Sequence, residues 1–301
     1  MKIFKGKFNE FNNLEPLTIT IGNFDGVHVG HQALIAETKK YQDTKSAILT
    51  FHPHPLIVLR DVSYQQLTSL EQKLKLLKQT AVEFCFVVEF NQQFANLSPL
   101  EFIEFLEKNN VKRVVIGNDF RFGAYAKGTV ANLKEHFEVV IVEDILKNQI
   151  RISTTYVKDL LYSGNLELAK ELLKKDYEIE GVVIHGDKVG RTLGMPTANL
   201  DVNNYLLPKN GVYYVTVEYA NKTYGGAFNI GYNPTINYSP TKRAEVHILD
   251  FNGQLYGEKL GINFKKFLRP ELKFKSKAEL VKALEHDILT CKRLFKTEIE
   301  S

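Results

Sequence analysis

At 301 residues, 44% hydrophobic and 25% charged, the chain has the composition of a globular protein with room for two domains of ordinary size, and not of a disordered one. Its net charge of +4 is small for this length and argues against a nucleic-acid partner, which calls for a strong basic stripe. Met1 to Glu10 lacks an apolar signal core and no stretch is long enough to span a bilayer, so no membrane partner is expected and a cytoplasmic location fits.

In chain order, the first half alternates two periodicities. Short β-rich runs recur at Leu17–Phe24, Ser46–Phe51, Phe84–Phe90, Arg113–Gly117 and Glu138–Val142. Between them Ser69-Leu70-Glu71-Gln72 reads as a capping box, followed by an apolar face of Leu70, Leu74 and Leu77. Ser98-Pro99-Leu100-Glu101 reads as another, with Phe102, Phe105 and Leu106 facing inward. Such alternation predicts a parallel sheet covered on both faces. Cys85 falls in an apolar run and is expected to be a buried small hydrophobe. With Cys291 as the only other cysteine, there is no disulfide framework or zinc ligand set.

One more helix is predicted over Asn165 to Lys175, after which the pattern turns to hairpins. Gly211–Tyr219 alternates, turns near Asn221-Lys222 and returns through Tyr224–Ile230; Ala244–Phe251 is followed by Asn252-Gly253, a strong hairpin signal. Several antiparallel strands with tight turns predict a small barrel, and Ser276-Lys277-Ala278-Glu279 caps a final helix carrying Leu280, Val281, Leu284 and Ile288.

Two segments carry phosphate chemistry. Gly22-Asn23-Phe24-Asp25-Gly26-Val27-His28-Val29-Gly30-His31 follows a strand and opens a helix. A helix N-terminus offers unpaired N–H groups and partial positive charge, and Gly22, Gly26 and Gly30 let the backbone approach a ligand. His28 and His31 share a face and can stabilise charge on a phosphoryl group in nucleotidyl transfer. A rival reading makes His28, His31, His52 and His54 a zinc cluster, but His52 and His54 each precede proline and no cysteine or carboxylate completes a set nearby. In the second half Thr197 and Asn199 of Pro196-Thr197-Ala198-Asn199 supply hard oxygens of the kind that suits Mg²⁺ with an ATP polyphosphate. Gly186, Gly190 and Gly194 free backbone N–H groups toward phosphate, and Arg191 adds charge. Two such sites on one chain suggest two consecutive reactions on one metabolite.

These blocks resemble the bifunctional bacterial riboflavin kinase/FMN adenylyltransferase family, also called FAD synthetase. The likeness runs through Gly22–Gln32, Thr50-Phe51-His52-Pro53-His54-Pro55, Gly117-Asn118-Asp119-Phe120-Arg121-Phe122-Gly123 and Ile152-Ser153-Thr154-Thr155-Tyr156-Val157-Lys158. In the second half it runs through Pro196–Asn199, Asn229-Ile230-Gly231, Glu245-Val246-His247, Leu255-Tyr256-Gly257 and Leu268–Phe274. The resemblance implies an α/β architecture: a Rossmann-like parallel-sheet nucleotidyltransferase domain (1–176), then a small antiparallel β-barrel kinase domain with a C-terminal helix (177–301). It implies that riboflavin is phosphorylated to FMN and FMN adenylylated to FAD, with ATP as co-substrate, Mg²⁺ as cofactor and these small molecules as partners; the sequence does not give the oligomeric state. His28 and His31 would hold the ATP phosphates together with the Gly22-Asn23-Phe24 turn, and Asp119 would contact ligand. Thr154, Thr155 and Lys158 would form the second phosphate signature. Thr197 and Asn199 would ligate the metal, and Glu245 would take a proton from the ribityl hydroxyl. Departures are Lys158 for the usual arginine, Met195 for phenylalanine, Asn233 for arginine and Gln254 for aspartate. Lys158 and Asn233 leave open a flavin-binding regulatory or sequestering protein that has lost one or both activities. A transferase acting on another phosphate ester, such as a pantetheine or nicotinate nucleotide, is opposed by the second-half blocks.

Overall fold

A computed structural model of the chain describes residues 1–60, 64–186, 195–232 and 242–300. It divides into two compact units, Met1–Tyr156 and Val157–Ser301.

The first unit is built on six parallel strands: β1 (Lys2–Gly6), β2 (Leu17–Ile21), β3 (Lys45–His52), β4 (Phe84–Glu89), β5 (Val111–Gly117) and β6 (Glu138–Val142), in the order β1-β4-β3-β2-β5-β6. Strand β2 is buried at every residue and β4 at all but Glu89, as the apolar runs predict for strands covered on both faces. The edge strand β1, Lys-Ile-Phe-Lys-Gly, was not evident in the sequence: it is mostly exposed, and its two lysines suit an edge. Helices α1 (Val29–Thr38), α2 (Pro55–Arg60), α3 (Leu70–Gln79), α4 (Gln92–Ala95), α5 (Pro99–Lys108) and α6 (Val130–Lys134) connect the strands. Both predicted capping boxes form: Ser69 with Gln72 opens α3, and Ser98 with Glu101 opens α5. Phe102, Phe105 and Leu106 of α5 bury in a phenylalanine-rich core on one side of the sheet, Leu74 and Leu77 of α3 in the other, and Cys85 is fully buried.

The chain winds outward from β2 through β3 to β4, then returns to lay β5 on the other side of β2. The sheet therefore has a topological switch between β2 and β5. Crevices that bind ligands form at the carboxyl ends of strands at such a point. Gly22 follows one of these strands and Gly117 ends the other.

A small ribbon of β7 (Leu146–Lys147) and β8 (Ile150–Arg151) precedes α7 (Thr154–Ser163) and α8 (Leu166–Leu173); the latter is the helix expected over Asn165 to Lys175, and Asn165 caps it. The second unit is then a closed antiparallel barrel of β9 (Tyr177–Ile184), β10 (Ala198–Asp201), β11 (Gly211–Tyr219), β12 (Lys222–Tyr232), β13 (Lys242–Ile248) and β14 (Lys259–Arg269), in the order β10-β13-β12-β11-β14-β9. Tyr213, Phe228 and Phe264 are fully buried, and Phe264 takes each of the other two edge-on at 5.2 Å. Such aromatic pairs add ~0.5–1.5 kcal/mol beyond their burial. The final helix α9 (Lys277–Glu300) starts where Glu279 N–H donates to Ser276 Oγ and lays Cys291 and Phe295 against the barrel wall.

One turn differs from its prediction. Asn252-Gly253 does not join a hairpin, because β13 pairs with β10 and β12, whereas β14 pairs with β9 and β11. Neither residue takes the positive φ that a two-residue hairpin turn requires. Closure of the barrel has already occupied both edges of β13, so tertiary pairing overrides the local signal. The turn from β11 to β12 does have that form: Ala220 (φ 50°) and Asn221 (φ 60°) are both left-handed. Alanine is a poor residue there, since the left-handed region costs ~1–2 kcal/mol for a residue with a Cβ and asparagine tolerates it best. Ala220→Asn is expected to stabilise the barrel by up to ~1 kcal/mol, a rise of ~2–4 °C in its calorimetric transition; a fall in that transition would show that the strain is not felt.

Candidate functional sites

In the first unit the segment leaving β2 is held in an unusual conformation. Phe24 (φ 51°), Gly26 (φ 78°) and Val27 (φ 44°) are left-handed, and of the three motif glycines only Gly26 needs its conformational freedom. The carboxylate of Asp25 anchors the turn. Itself buried, it accepts from the backbone N–H of Leu67 (3.0 Å) and Thr68 (2.9 Å), from the Thr68 hydroxyl (3.1 Å) and from the Tyr64 hydroxyl (3.2 Å). Thr68 Oγ1 in turn accepts from Gly26 N–H at 3.1 Å. The sequence motif contains Asp25 but carries no hint of this role, because its partners lie some forty positions downstream.

His28 is the N-cap of α1, and its Nδ1 accepts from the His31 N–H at 3.4 Å. The two imidazoles stack at 3.7 Å between centroids. Burial lowers the pKa of His28 to about 4, with the carboxylate of Asp25 opposing and Arg151 adding to the fall. Burial holds His31 well below its usual value, with His28 and Lys73 contributing. Both rings are therefore neutral near pH 7. An Nδ1 that accepts leaves the His28 proton on Nε2, as a donor. His31 Nδ1 and Asn23 Oδ1 are buried with no hydrogen-bond partner among the described residues.

A cavity of about 340 Å³ gathers Gly22, Phe24, His28, His31, Asp119, Thr154 and Thr155. It thus brings together most of the nucleotide-binding residues expected from sequence. Thr154 Oγ1 donates to Asp25 O at 3.4 Å, which puts the start of α7 beside the start of α1. Two helix N-termini face one cavity, a setting that favours anions. Lys158 sits one turn further along α7. Arg151 lines the cavity and grips both oxygens of Asp119, with Nη2 to Oδ1 at 2.9 Å, and this hydrogen bonding holds the Asp119 carboxyl below its usual range. Arg151 was not singled out from sequence, although it directly precedes the Ile152–Lys158 block.

A second cavity of about 640 Å³ adjoins the first, sharing Ile21, Gly22 and Phe120 with it. Asn23 lies in its wall, and Phe51, Phe90, Phe94, Phe102, Phe122 and Tyr125 make it aromatic, with Arg60 and Arg121 adding charge. Its aromatic walls come from β3, the ends of β4, α4 and α5, and the Gly117–Gly123 block, which is why no single motif announced it. The four-histidine alternative does not assemble: no group of three metal-ligating side chains occurs among the described residues, and His54 stacks on Tyr64 instead.

In the barrel unit Glu245 and His247 point outward from β13 while Ala244, Val246 and Ile248 point into the core, the alternation expected of a strand. Asn199 on β10 lies directly opposite Glu245. Arg243 Nη1 is 3.5 Å from Glu245 Oε1, and His247 Nδ1 donates to Pro196 O at 2.9 Å, tying β13 to the Pro196–Asn199 segment. Thr197, Glu245 and His247 line a cavity of about 260 Å³ whose far wall is α9, through Leu280, Leu284 and Ile288. Arg269 lies in this wall and holds the buried Asp287 with Nε and Nη2, at 3.1 and 2.7 Å. Thr197 also borders a smaller cavity of about 120 Å³ with Pro196, Phe251, Gln254 and Tyr256. A Cβ on Gly186 would meet the Asn199 amide at 2.0 Å, so this glycine makes room for that side chain. Gly190, Arg191, Gly194 and Asn233 lie outside the described residues.

The FAD synthetase family profile matches residues 10–156, and the riboflavin kinase profile matches residues 173–295. The chain is 41% identical over 282 residues to the bifunctional riboflavin kinase/FMN adenylyltransferase of Bacillus subtilis, covering 89% of each chain. It is 36% identical over 308 residues to the Escherichia coli K12 protein of the same name, covering 98% of each. A solved structure from Streptococcus pneumoniae, described as a macrolide-efflux protein, is 31% identical and superposes with a TM-score of 0.85 over 96% of this chain and 98% of its own. Among the described residues no helix is long and apolar enough to cross a membrane. With such identity sustained from the Gly22 turn to the final helix, the chain belongs to the bifunctional riboflavin kinase/FMN adenylyltransferase family.

Proposed function

We propose that residues 177–301 transfer the γ-phosphoryl group of ATP to riboflavin, giving FMN and ADP, and that residues 1–176 transfer the adenylyl group of a second ATP to FMN, giving FAD and pyrophosphate. The observation that carries the second assignment is the pair of cavities meeting at Gly22. The aromatic one suits a flat, largely apolar ring system, and the polar one, between two helix N-termini, suits a polyphosphate. The phosphate of FMN would lie at their junction and attack the α-phosphorus of ATP in line, with pyrophosphate leaving. No protein nucleophile is required. The backbone N–H groups opening α1 and α7, the Nε2–H of His28, Thr154, Thr155 and Lys158 would stabilise the charge that develops. His31 Nδ1 and Asn23 Oδ1, buried and unpartnered, fit a role in holding ligand. Asp119 would share its contact to ligand with Arg151.

In the barrel unit Glu245 would accept the proton of the attacking ribityl hydroxyl, with Arg243 beside it at 3.5 Å. The apolar wall of α9 suits the flavin ring. The residues present fit Mg²⁺: Thr197 and Asn199 are neutral hard-oxygen donors next to a carboxylate, and Gly186 leaves space at Asn199. When bound, the ion would neutralise polyphosphate charge.

Incubation of the protein with riboflavin, ATP and Mg²⁺, followed by chromatography, tests this reading directly. FMN and then FAD are expected; binding of flavin without either product would mean a sequestering protein instead.

His28→Ala is expected to cut FAD formation from FMN by ~10²-fold, the scale of removing one preorganised donor. Riboflavin phosphorylation should stay at the wild-type rate, and a parallel fall in both activities of a folded variant would contradict the placement of His28 in one site.

Glu245→Gln keeps the shape of the side chain but cannot take a proton near neutral pH. A general base contributes ~10²–10⁴-fold, so kcat for FMN production should fall by that much while the calorimetric affinity for riboflavin is retained. A variant keeping more than about a tenth of wild-type kcat would reduce Glu245 to a carboxylate paired with Arg243.

A further inference from the structure

The first unit contains a buried charge that no phosphate signature includes. Lys73 lies in the first turn of α3, directly after the capping box, and is only 8% exposed. The box fixes where the helix begins, and Lys73 then falls three residues after Leu70 on the side that carries Leu74 and Leu77 inward. Its ammonium has three donors and meets three acceptors: Asn23 O at 3.0 Å, Thr50 Oγ1 at 3.1 Å and Phe51 O at 3.2 Å. Thr50 Oγ1 also donates to Asn23 O at 3.1 Å, which closes the cluster. Asn23 follows the carboxyl end of β2, while Thr50 and Phe51 lie near that of β3.

Burying a lysine costs several kcal/mol in lost hydration, and among the described residues no carboxylate is hydrogen-bonded to this one. Burial brings its pKa down to about 8, against the opposing pull of Asp25. A neutral side chain could fill the same space at lower cost, so stability alone does not explain the ammonium. Two of its acceptors belong to Asn23 and Phe51, which line the aromatic cavity. Its charge also reaches His31 in the polar cavity, where it adds to the fall in that imidazole's pKa.

We propose that Lys73 is a positioning residue for adenylyl transfer: from behind the sheet edge it clamps the ends of β2 and β3, holding the Gly22–Phe24 turn and Phe51 in the geometry that sets FMN against the nucleotide. The proposal rests on the assignment of adenylyl transfer to this unit. The lysine touches neither substrate. Its three hydrogen bonds fix the wall of the acceptor cavity, and its positive charge lies behind the turn that the phosphates approach.

The test uses the full chain carrying Lys73→Met, which keeps length and apolar bulk but removes the charge and its donors, with Thr50→Val as a milder second variant. Adenylyl transfer from FMN and ATP, riboflavin phosphorylation and thermal melting are measured for each. A misplacement of about 1 Å costs up to ~10²-fold, so Lys73→Met is expected to lower kcat for FAD formation by ~10–10²-fold, with KM for ATP changed less than about threefold. Phosphorylation should be unchanged, and Thr50→Val should show the same pattern with a smaller loss. In Lys73→Met the His31 imidazole, followed by NMR, should titrate at higher pH than in the wild type, whereas in Thr50→Val, which keeps the ammonium, its titration should be unchanged. The other titratable groups bearing on these two residues are Asp25, His28 and Cys85. Wild-type kcat in a folded Lys73→Met protein overturns the proposal. If that variant does not fold, wild-type kcat in Thr50→Val overturns it. A wild-type protein that makes no FAD from FMN refutes adenylyl transfer itself, an outcome distinct from either.

Discussion

The first unit depends on one turn being held open. Between Ile21 and Val29 the backbone leaves a parallel strand, passes through three left-handed residues and enters a helix with its N–H groups directed at a cavity. Such a turn has no regular hydrogen-bond ladder to support it. Asp25 supplies the support from within, tying the turn to Leu67 and Thr68, and the ammonium of Lys73 supplies it from behind, through the carbonyl of Asn23. The switch in strand order then lets β5 and the start of α7 close the same crevice from the other side. Neutral histidines suit this setting. A permanently charged pair stacked at 3.7 Å would repel, and burial removes the charge while leaving one N–H donor.

The barrel meets a similar chemical demand with different means. Among the described residues no long helix begins at this site. Antiparallel pairing instead sets Asn199 against Glu245, and strand alternation turns Glu245 and His247 away from the packed interior. The hydrogen bond from His247 to Pro196 O ties the Pro196–Asn199 segment to β13. The buried Asp287, paired with Arg269, links α9 to the end of β14, so the apolar wall contributed by α9 stays in register with the polar one.

Legibility followed locality. The strands β2 to β6, the capped helices α3 and α5, and the final helix were readable because each is set by periodicity and caps within a dozen or so residues. The histidine turn and the Pro196–Asn199 segment could be singled out as candidates because their residues are contiguous in the chain. What could not be read depends on residues distant in the chain. The partners of Asp25 and the acceptors of Lys73 come together only when the sheet forms. The aromatic cavity draws six phenylalanines from five segments, each of which looks like ordinary core. Strand β1 carries too many lysines for a buried strand and is legible only as an edge. Asn252-Gly253 shows the reverse case: a strong local turn signal gave way to barrel closure, which had already assigned both edges of its strand.

The central claim is that each half of the chain holds a complete and separate site for one of two consecutive reactions. Mixing experiments test it most directly: protein carrying Glu245→Gln and protein carrying His28→Ala are combined and supplied with riboflavin, ATP and Mg²⁺. Each alone is expected to form little FAD. Together they should form it readily, because FMN released by the His28→Ala protein is a substrate for the intact transferase site of the Glu245→Gln protein. A mixture in which FMN stays bound to the His28→Ala protein and no FAD forms, although the Glu245→Gln protein converts added FMN, would show that FMN is not released from the kinase site to a second chain. A Glu245→Gln protein that cannot convert added FMN would contradict the separation of the two sites outright.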